Sequence, residues 1–207
     1  MHKEVETVIS NEKINELLGI TESYKAPQVM LENMLDCNKR EKLFREFLKY
    51  ETDLSYEWFV NYFQDEHADR AKKKQDFTPM SISKILSELV ESKIYFEPTA
   101  GTGSIMIQAW HKSKMKVSPF LYNPRAYWYQ AEELSDRAIP FLIFNMSIRG
   151  MNGAIVHGDS LERTAKDVYF MRNDSVNFLG FSEVFKMSHS EKLEKELNIK
   201  FIKEVEE

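Results

Sequence analysis

The chain has 207 residues, 43% of them hydrophobic, which is enough apolar material for one α/β domain with an appendage or for two small domains. Its net charge of −5 argues against a protein that coats nucleic acid non-specifically, and the single cysteine, Cys37, excludes an internal disulfide and fits a reducing compartment. No apolar run nears the ~18 residues that span a bilayer, and the polar start Met1-His2-Lys3-Glu4 is no signal peptide. A cytoplasmic protein without membrane contact is expected.

Residues 1–22 are polar apart from Leu17, Leu18 and Ile20, and a loosely ordered start is expected. Between residues 27 and 63 the apolar positions recur at helical spacing: Leu31, Met34 and Leu35, then Leu43, Phe44, Phe47 and Leu48. Trp58, Phe59, Tyr62 and Phe63 form a second aromatic face after the start signal Asp53-Leu54-Ser55. Residues 1–70 are read as a helical N-terminal region, and 71–207 as an α/β domain. The basic cluster Arg70, Lys72, Lys73 and Lys74 reads either as a solvated linker or as a contact to a nucleic-acid backbone. It runs into Gln75-Asp76-Phe77-Thr78-Pro79 and an amphipathic helix through Ile82, Ile85, Leu86, Leu89 and Val90. Ser81 or Ser83 could cap that helix.

The next stretch organises the chain. Lys93 to Phe96 reads as a buried strand that ends at an acid, Glu97. Pro98-Thr99-Ala100-Gly101-Thr102-Gly103-Ser104 follows as a turn, and then an apolar helical run to Trp110. Glycine lets a backbone approach a ligand, and the free N–H groups at a helix start face whatever sits there. The chain holds only 7 glycines, so two in one turn are informative. No Gly-Lys-Ser/Thr follows, which excludes a P-loop, and Met106 takes the third glycine position of the dinucleotide fingerprint. A tight turn without a ligand is the remaining alternative.

Further along, residues 127–131 read as the second strand, ending at Glu132 and Glu133. Ser135 and Asp136 start a helix that is apolar all round, with Pro140 in or near its first turn and Gly150 as its stop. Residues 154–157 read as a third strand, followed by the turn Gly158-Asp159-Ser160, and residues 167–171 as a fourth. Residues 176–181 read weakly as a strand, and 190–207 as a charged helix or frayed tail. Strands alternating with helices imply a mostly parallel sheet, with ligands bound beyond the carboxyl ends of its strands. Three such ends here carry the glycine turn, Glu132/Glu133 and Asp159. That set suits a nucleoside-bearing ligand, with carboxylates to accept from ribose hydroxyls.

Four segments taken in order resemble the modification (methyltransferase) subunits of type I restriction systems and related adenine-N6 DNA methyltransferases. They are Asp76-Phe77-Thr78-Pro79, the run from Glu97 to Ser104, Gln130-Ala131-Glu132-Glu133 with Asn145 to Gly150 downstream, and Gly158-Asp159-Ser160-Leu161. The resemblance implies a Rossmann-like methyltransferase fold and S-adenosylmethionine as cofactor. By that resemblance Phe77, Thr78, Glu97, Pro98, Thr99, Ala100, Gly101, Gly103 and Ser104 hold the methionine part. Glu133, or its neighbour Glu132, takes the ribose, and Asp159 with Ser160 lies at the adenine. Partners implied are DNA, a specificity or other restriction-modification subunit, or a second copy.

The same family places an Asn-Pro-Pro-aromatic motif after its fourth strand, where the Asn accepts from the target amine and the ring stacks the flipped base. Here the place is held by Arg172-Asn173-Asp174-Ser175, which leaves Asn173 as the candidate catalytic residue and Phe178 as the nearest aromatic. Asn123-Pro124 lies out of order for the motif and reads as a turn. About 34 residues follow Asn173, so a parallel sheet shortened behind its cofactor half is expected. Three readings stand: a DNA adenine-N6 methyltransferase-like protein in a restriction-modification or phage context; a non-catalytic cofactor- or partner-binding protein that keeps the fold; and a methyltransferase of a protein or small molecule, since the cofactor half says nothing about the acceptor.

Overall fold

The computed structural model describes residues 9–65, 93–117, 119–175 and 180–202. The expected basic cluster Arg70, Lys72, Lys73 and Lys74, the residues Phe77 and Thr78, the helix through Ile82 to Val90, and Phe178 lie outside these residues.

Residues 10–19, within the stretch expected to be loosely ordered, form a capped helix. Helix α1, Asn11–Leu18, is opened by the Ser10 side chain accepting from the Lys13 N–H and closed by Gly19 at φ +69°. Helices α2 (Ala26–Leu35), α3 (Cys37–Phe47) and α4 (Val60–Asp65) follow, with Asp36 capping α3 through the Lys39 N–H at 3.0 Å. Their aromatic stripes meet one later helix, α6, Ile139–Ile148, whose residues are all buried. Phe144 of α6 sits edge-on to Phe44, Phe47 and Phe59, with ring centres 5.0–5.1 Å apart. Pro140 falls in the first turn of α6, where its missing N–H costs nothing.

Strands β1 (Ile94–Glu97), β2 (Trp128–Glu133) and β3 (Gly153–Asp159) run parallel in that order, in register Glu97↔Ala131 and Glu133↔His157. Helix α5, Ser104–Lys116, connects β1 to β2, and α6 connects β2 to β3. Gly153 lets β3 press onto β2: a Cβ there would lie 1.7 Å from the Tyr129 carbonyl oxygen. This is the mixed α/β class with the parallel strands expected from the sequence.

The strands beyond β3 depart from the expectation. Strand β4, Thr164–Arg172, turns back antiparallel on β3, with Asp159↔Thr164 at one end and Gly153↔Met171 at the other. Strand β5, Glu183–Lys186, is antiparallel to β4, and the short β6, Lys200–Phe201, follows helix α7, Glu191–Leu197. A four-residue turn, 160–163, is too short for the crossover a parallel strand needs, so antiparallel pairing is forced. Among the described residues β1 is an edge, and its Ile94 and Phe96 are exposed.

Candidate functional site

The carboxyl ends of β1, β2 and β3 converge at one end of the sheet. The turn after β1 has Gly101 at φ +57° and Gly103 at φ +97°, conformations that resist side chains. A Cβ on Gly103 would meet Leu142 Cδ1 of α6 at 2.9 Å, whereas one on Gly101 would meet nothing within 4 Å among the described residues. Among the described residues, α6 packs against the turn at Gly103 and none crowds it at Gly101.

Glu132 and Glu133 part company here, as successive strand residues must. Glu133 points to the glycine turn: its Oε2 accepts from the Gly101 N–H at 2.7 Å and its Oε1 from the Ser135 N–H at 2.7 Å. Each carboxylate oxygen keeps a second lone pair for a ligand hydroxyl. Glu132, 1% exposed, is held by Arg163 Nη1 at 2.6 Å. Arg163, at φ +55°, also donates to the carbonyls of Leu197 and Asn198 and so ties the C-terminal helix beneath the site. The structure gives Glu133 to the turn and Glu132 to an internal ion pair.

Glu97, at the end of β1, is buried, and burial pushes its carboxyl up to about 7. The Tyr95 hydroxyl at 3.2 Å and a backbone N–H at Met106 oppose that shift, and the nearby Glu133 adds to it. Asp159 closes β3 with Oδ1 accepting from the Leu161 and Glu162 N–H groups at 2.8 and 3.0 Å. Pro98, Thr99, Ala100 and Ser160 lie in the same two turns and Ser104 opens α5; the Ala100 N–H is fixed by the Glu132 carbonyl at 3.0 Å.

Two residues at this end escaped the sequence reading. Leu134, just past β2, is 56% exposed, and Leu161, just past β3, is 91% exposed. Large apolar side chains standing in solvent beside a glycine turn offer flat contacts to an apolar ring. In the sequence Leu134 directly follows Glu133, and Leu161 stands two residues after Asp159.

Asn173 is not at this end. Because β4 runs antiparallel, Asn173 emerges beside the start of β3, where its N–H meets Asn152 Oδ1 at 2.7 Å. From His157, which pairs with Glu133, down to Asn152 is five residues of strand, roughly 16 Å. The Asn173 amide donates to the Gly150 and Gly180 carbonyls at 3.1 and 2.9 Å, and its Oδ1 accepts from the Ser175 N–H at 3.0 Å. It is a buried clamp at the end of the sheet away from the glycine turn. Asn123-Pro124 is the turn expected, with Asn123 Oδ1 accepting from the Arg125 N–H and Pro124 opening a 3₁₀ turn.

A family model described as N-6 DNA Methylase matches residues 52–200. Among curated proteins, the chain is 36% identical over 59 residues to the type I restriction enzyme MjaVIII methylase subunit of Methanocaldococcus jannaschii. That match takes in 27% of this chain and 10% of the relative, so the chain spans a small part of the length of the protein it matches. Among solved structures, a modification subunit assigned to a type I restriction enzyme from Vibrio vulnificus aligns with a TM-score of 0.41 and 14% identity, over 61% of this chain and 25% of that one. A protein assigned as a class I S-adenosylmethionine-dependent methyltransferase from Listeria monocytogenes aligns at 0.35 and 16%, over 73% and 55%. No helix among the described residues is long and apolar enough to cross a membrane.

Proposed function

Since the chain belongs to the N-6 DNA Methylase family, we propose that it binds S-adenosylmethionine at the ends of β1–β3, as the cofactor-holding part of an adenine-N6 DNA methyltransferase. The observation that carries this is the Glu133 carboxylate bonded to the Gly101 N–H of a turn where, among the described residues, nothing lies within 4 Å of a Cβ placed on Gly101. The residues present fit the cofactor in kind. Glu97 and the turn from Pro98 to Ser104 take its charged methionine part, with Thr78 and Phe77 preceding them in the chain. Glu133 accepts from the ribose hydroxyls. Asp159 faces the adenine edge with Ser160, and Leu134 and Leu161 supply apolar contacts to the ring.

Bound there, the cofactor supplies a methyl group on a positively charged sulfur. The protein's part is to hold that methyl in one place and to exclude water, a contribution of proximity and orientation rather than of acid–base chemistry. Glu132 is not a ribose ligand in this reading. DNA is the proposed acceptor and a restriction-modification subunit the proposed partner, on the strength of the family.

The test is calorimetric titration of the protein with S-adenosylmethionine, alongside Glu133→Ala, followed by labelled methyl transfer to unmethylated DNA. Saturable binding that the variant loses supports the cofactor site; no binding to the unaltered protein sinks it. A second reading, a cofactor-binding protein that does not itself methylate, is favoured by the displacement of Asn173 from the site. Binding without transfer would select it.

A further inference from the structure

The helical region reaches the glycine turn through buried polar groups. Asn145 is the one amide side chain in the apolar helix α6, and it is 1% exposed. Its amide nitrogen donates to Glu57 Oε1 at 2.9 Å and to the Thr102 carbonyl at 2.8 Å. Its Oδ1 accepts from Arg149 Nη1 at 2.9 Å. The buried Arg149 guanidinium in turn donates to the Leu54 and Tyr56 carbonyls at 2.8 and 2.6 Å. Glu57 Oε1 accepts from the Phe59 N–H at 2.9 Å, and Gln108 of α5 reaches the Ser55 carbonyl at 2.6 Å. A buried amide among apolar side chains is costly unless paired, and this one has both donors and its acceptor engaged.

The bond to Thr102 is the informative one. Thr102 lies between Gly101 and Gly103, both with positive φ, so few side-chain constraints hold the peptide between Thr102 and Gly103. Its N–H meets the Ala100 carbonyl at 2.8 Å, and its C=O meets Asn145. The turn is thus held from β2 by Glu132 and Glu133 and from α6 by Asn145.

We propose that Asn145 is a positioning residue which, braced by Glu57 and Arg149, sets the glycine turn for its ligand, so that residues 54–59 of the helical region are part of the site. This rests on the cofactor reading above and assigns that site a further support.

Two substitutions separate positioning from simple bracing. Asn145→Asp removes both donors and sets an acceptor against Glu57 and the Thr102 carbonyl. Adding Glu57→Gln restores the link between 57 and 145 with donor and acceptor exchanged, while nothing donates to Thr102. The readouts are melting temperature, hydrogen exchange of the amides in 98–104, and S-adenosylmethionine affinity by calorimetry. For Asn145→Asp we expect faster exchange in the turn and affinity lower by about tenfold or more. The double variant should regain melting temperature and leave exchange and affinity impaired. Turn protection and affinity that return together with melting temperature overturn the proposal, as does unchanged turn exchange in the double variant. If Asn145→Asp alone does not purify, the double variant carries the test. Should the unaltered protein bind no S-adenosylmethionine, that result falls on the cofactor reading, and exchange in 98–104 still decides the role of Asn145.

Discussion

The two ends of the sheet carry similar residues and use them in opposite ways. At the carboxyl ends of β1–β3, Glu133 holds the Gly101 N–H and Asp159 caps its own turn, and among the described residues nothing lies within 4 Å of a Cβ placed on Gly101. At the other end, Asn152 and Asn173 bond to each other, and the Asn173 amide fills itself with the Gly150 and Gly180 carbonyls. Buried polar groups that satisfy one another are a clamp, whereas those that border an opening are available to a ligand. Strand direction decides which is which: had β4 run parallel to β3, Asn173 would have stood beside Asp159.

The comparison can be broken at either end. Gly150→Ala should do most harm, since its Cβ would lie 2.2 Å from the Gly180 carbonyl oxygen and 2.6 Å from Asn173 Nδ2 at a φ of +65°. We expect a loss of roughly 3 kcal/mol or more, read by denaturant unfolding. Asn173→Ala should cost about 2–4 kcal/mol by orphaning its buried partners, yet leave S-adenosylmethionine affinity of the folded protein unchanged. A selective loss of affinity there would restore Asn173 to the site.

Glu97→Gln sharpens the comparison through pH. The folded Glu97 is raised from 4.5 to about 7 by burial, so the native state holds its proton longer than the unfolded chain does. Its contribution to stability is therefore present below pH 4.5 and falls as pH rises through about 7. The variant, which is neutral throughout, should gain roughly 2–3 kcal/mol relative to wild type between pH 5 and pH 8. A parallel pH dependence of the two proteins would count against an ionisable Glu97 in the native fold. Smallest in free energy, Glu133→Ala should weaken S-adenosylmethionine roughly tenfold to a hundredfold with a modest change in melting temperature.

Short-range chemistry was readable in the sequence. The glycine turn, the Asp159 turn, the Gly150 stop and the Asn123-Pro124 turn each depend on a few adjacent residues, and each lies where expected. Helix α1 was readable too, from Ser10 and Gly19, although polarity alone suggested looseness. The direction of β4 was not legible from its apolar pattern, because Val168 and Phe170 alternate with their neighbours identically in either direction. The choice between Glu132 and Glu133 needed Arg163, whose approach depends on the β3–β4 turn and the C-terminal helix. Asn145 had a signal, one amide inside an apolar helix, but its partners Glu57 and Thr102 lie 88 and 43 residues away in the chain.

The antiparallel hairpin of β3 and β4 also orders events in time. Its strands are joined by a turn of residues 160–163, whereas pairing β1 with β2 must first bring Ile94 and Trp128 together across α5. Local pairs close early because less chain entropy is lost before contacts form. Pulse-labelled hydrogen exchange should then protect the amides of Val156 and Val168 before those of Tyr95 and Tyr129, and the reverse order would refute this. The β1–β2 side of the sheet, which carries the glycine turn, is on this account the last to be assembled.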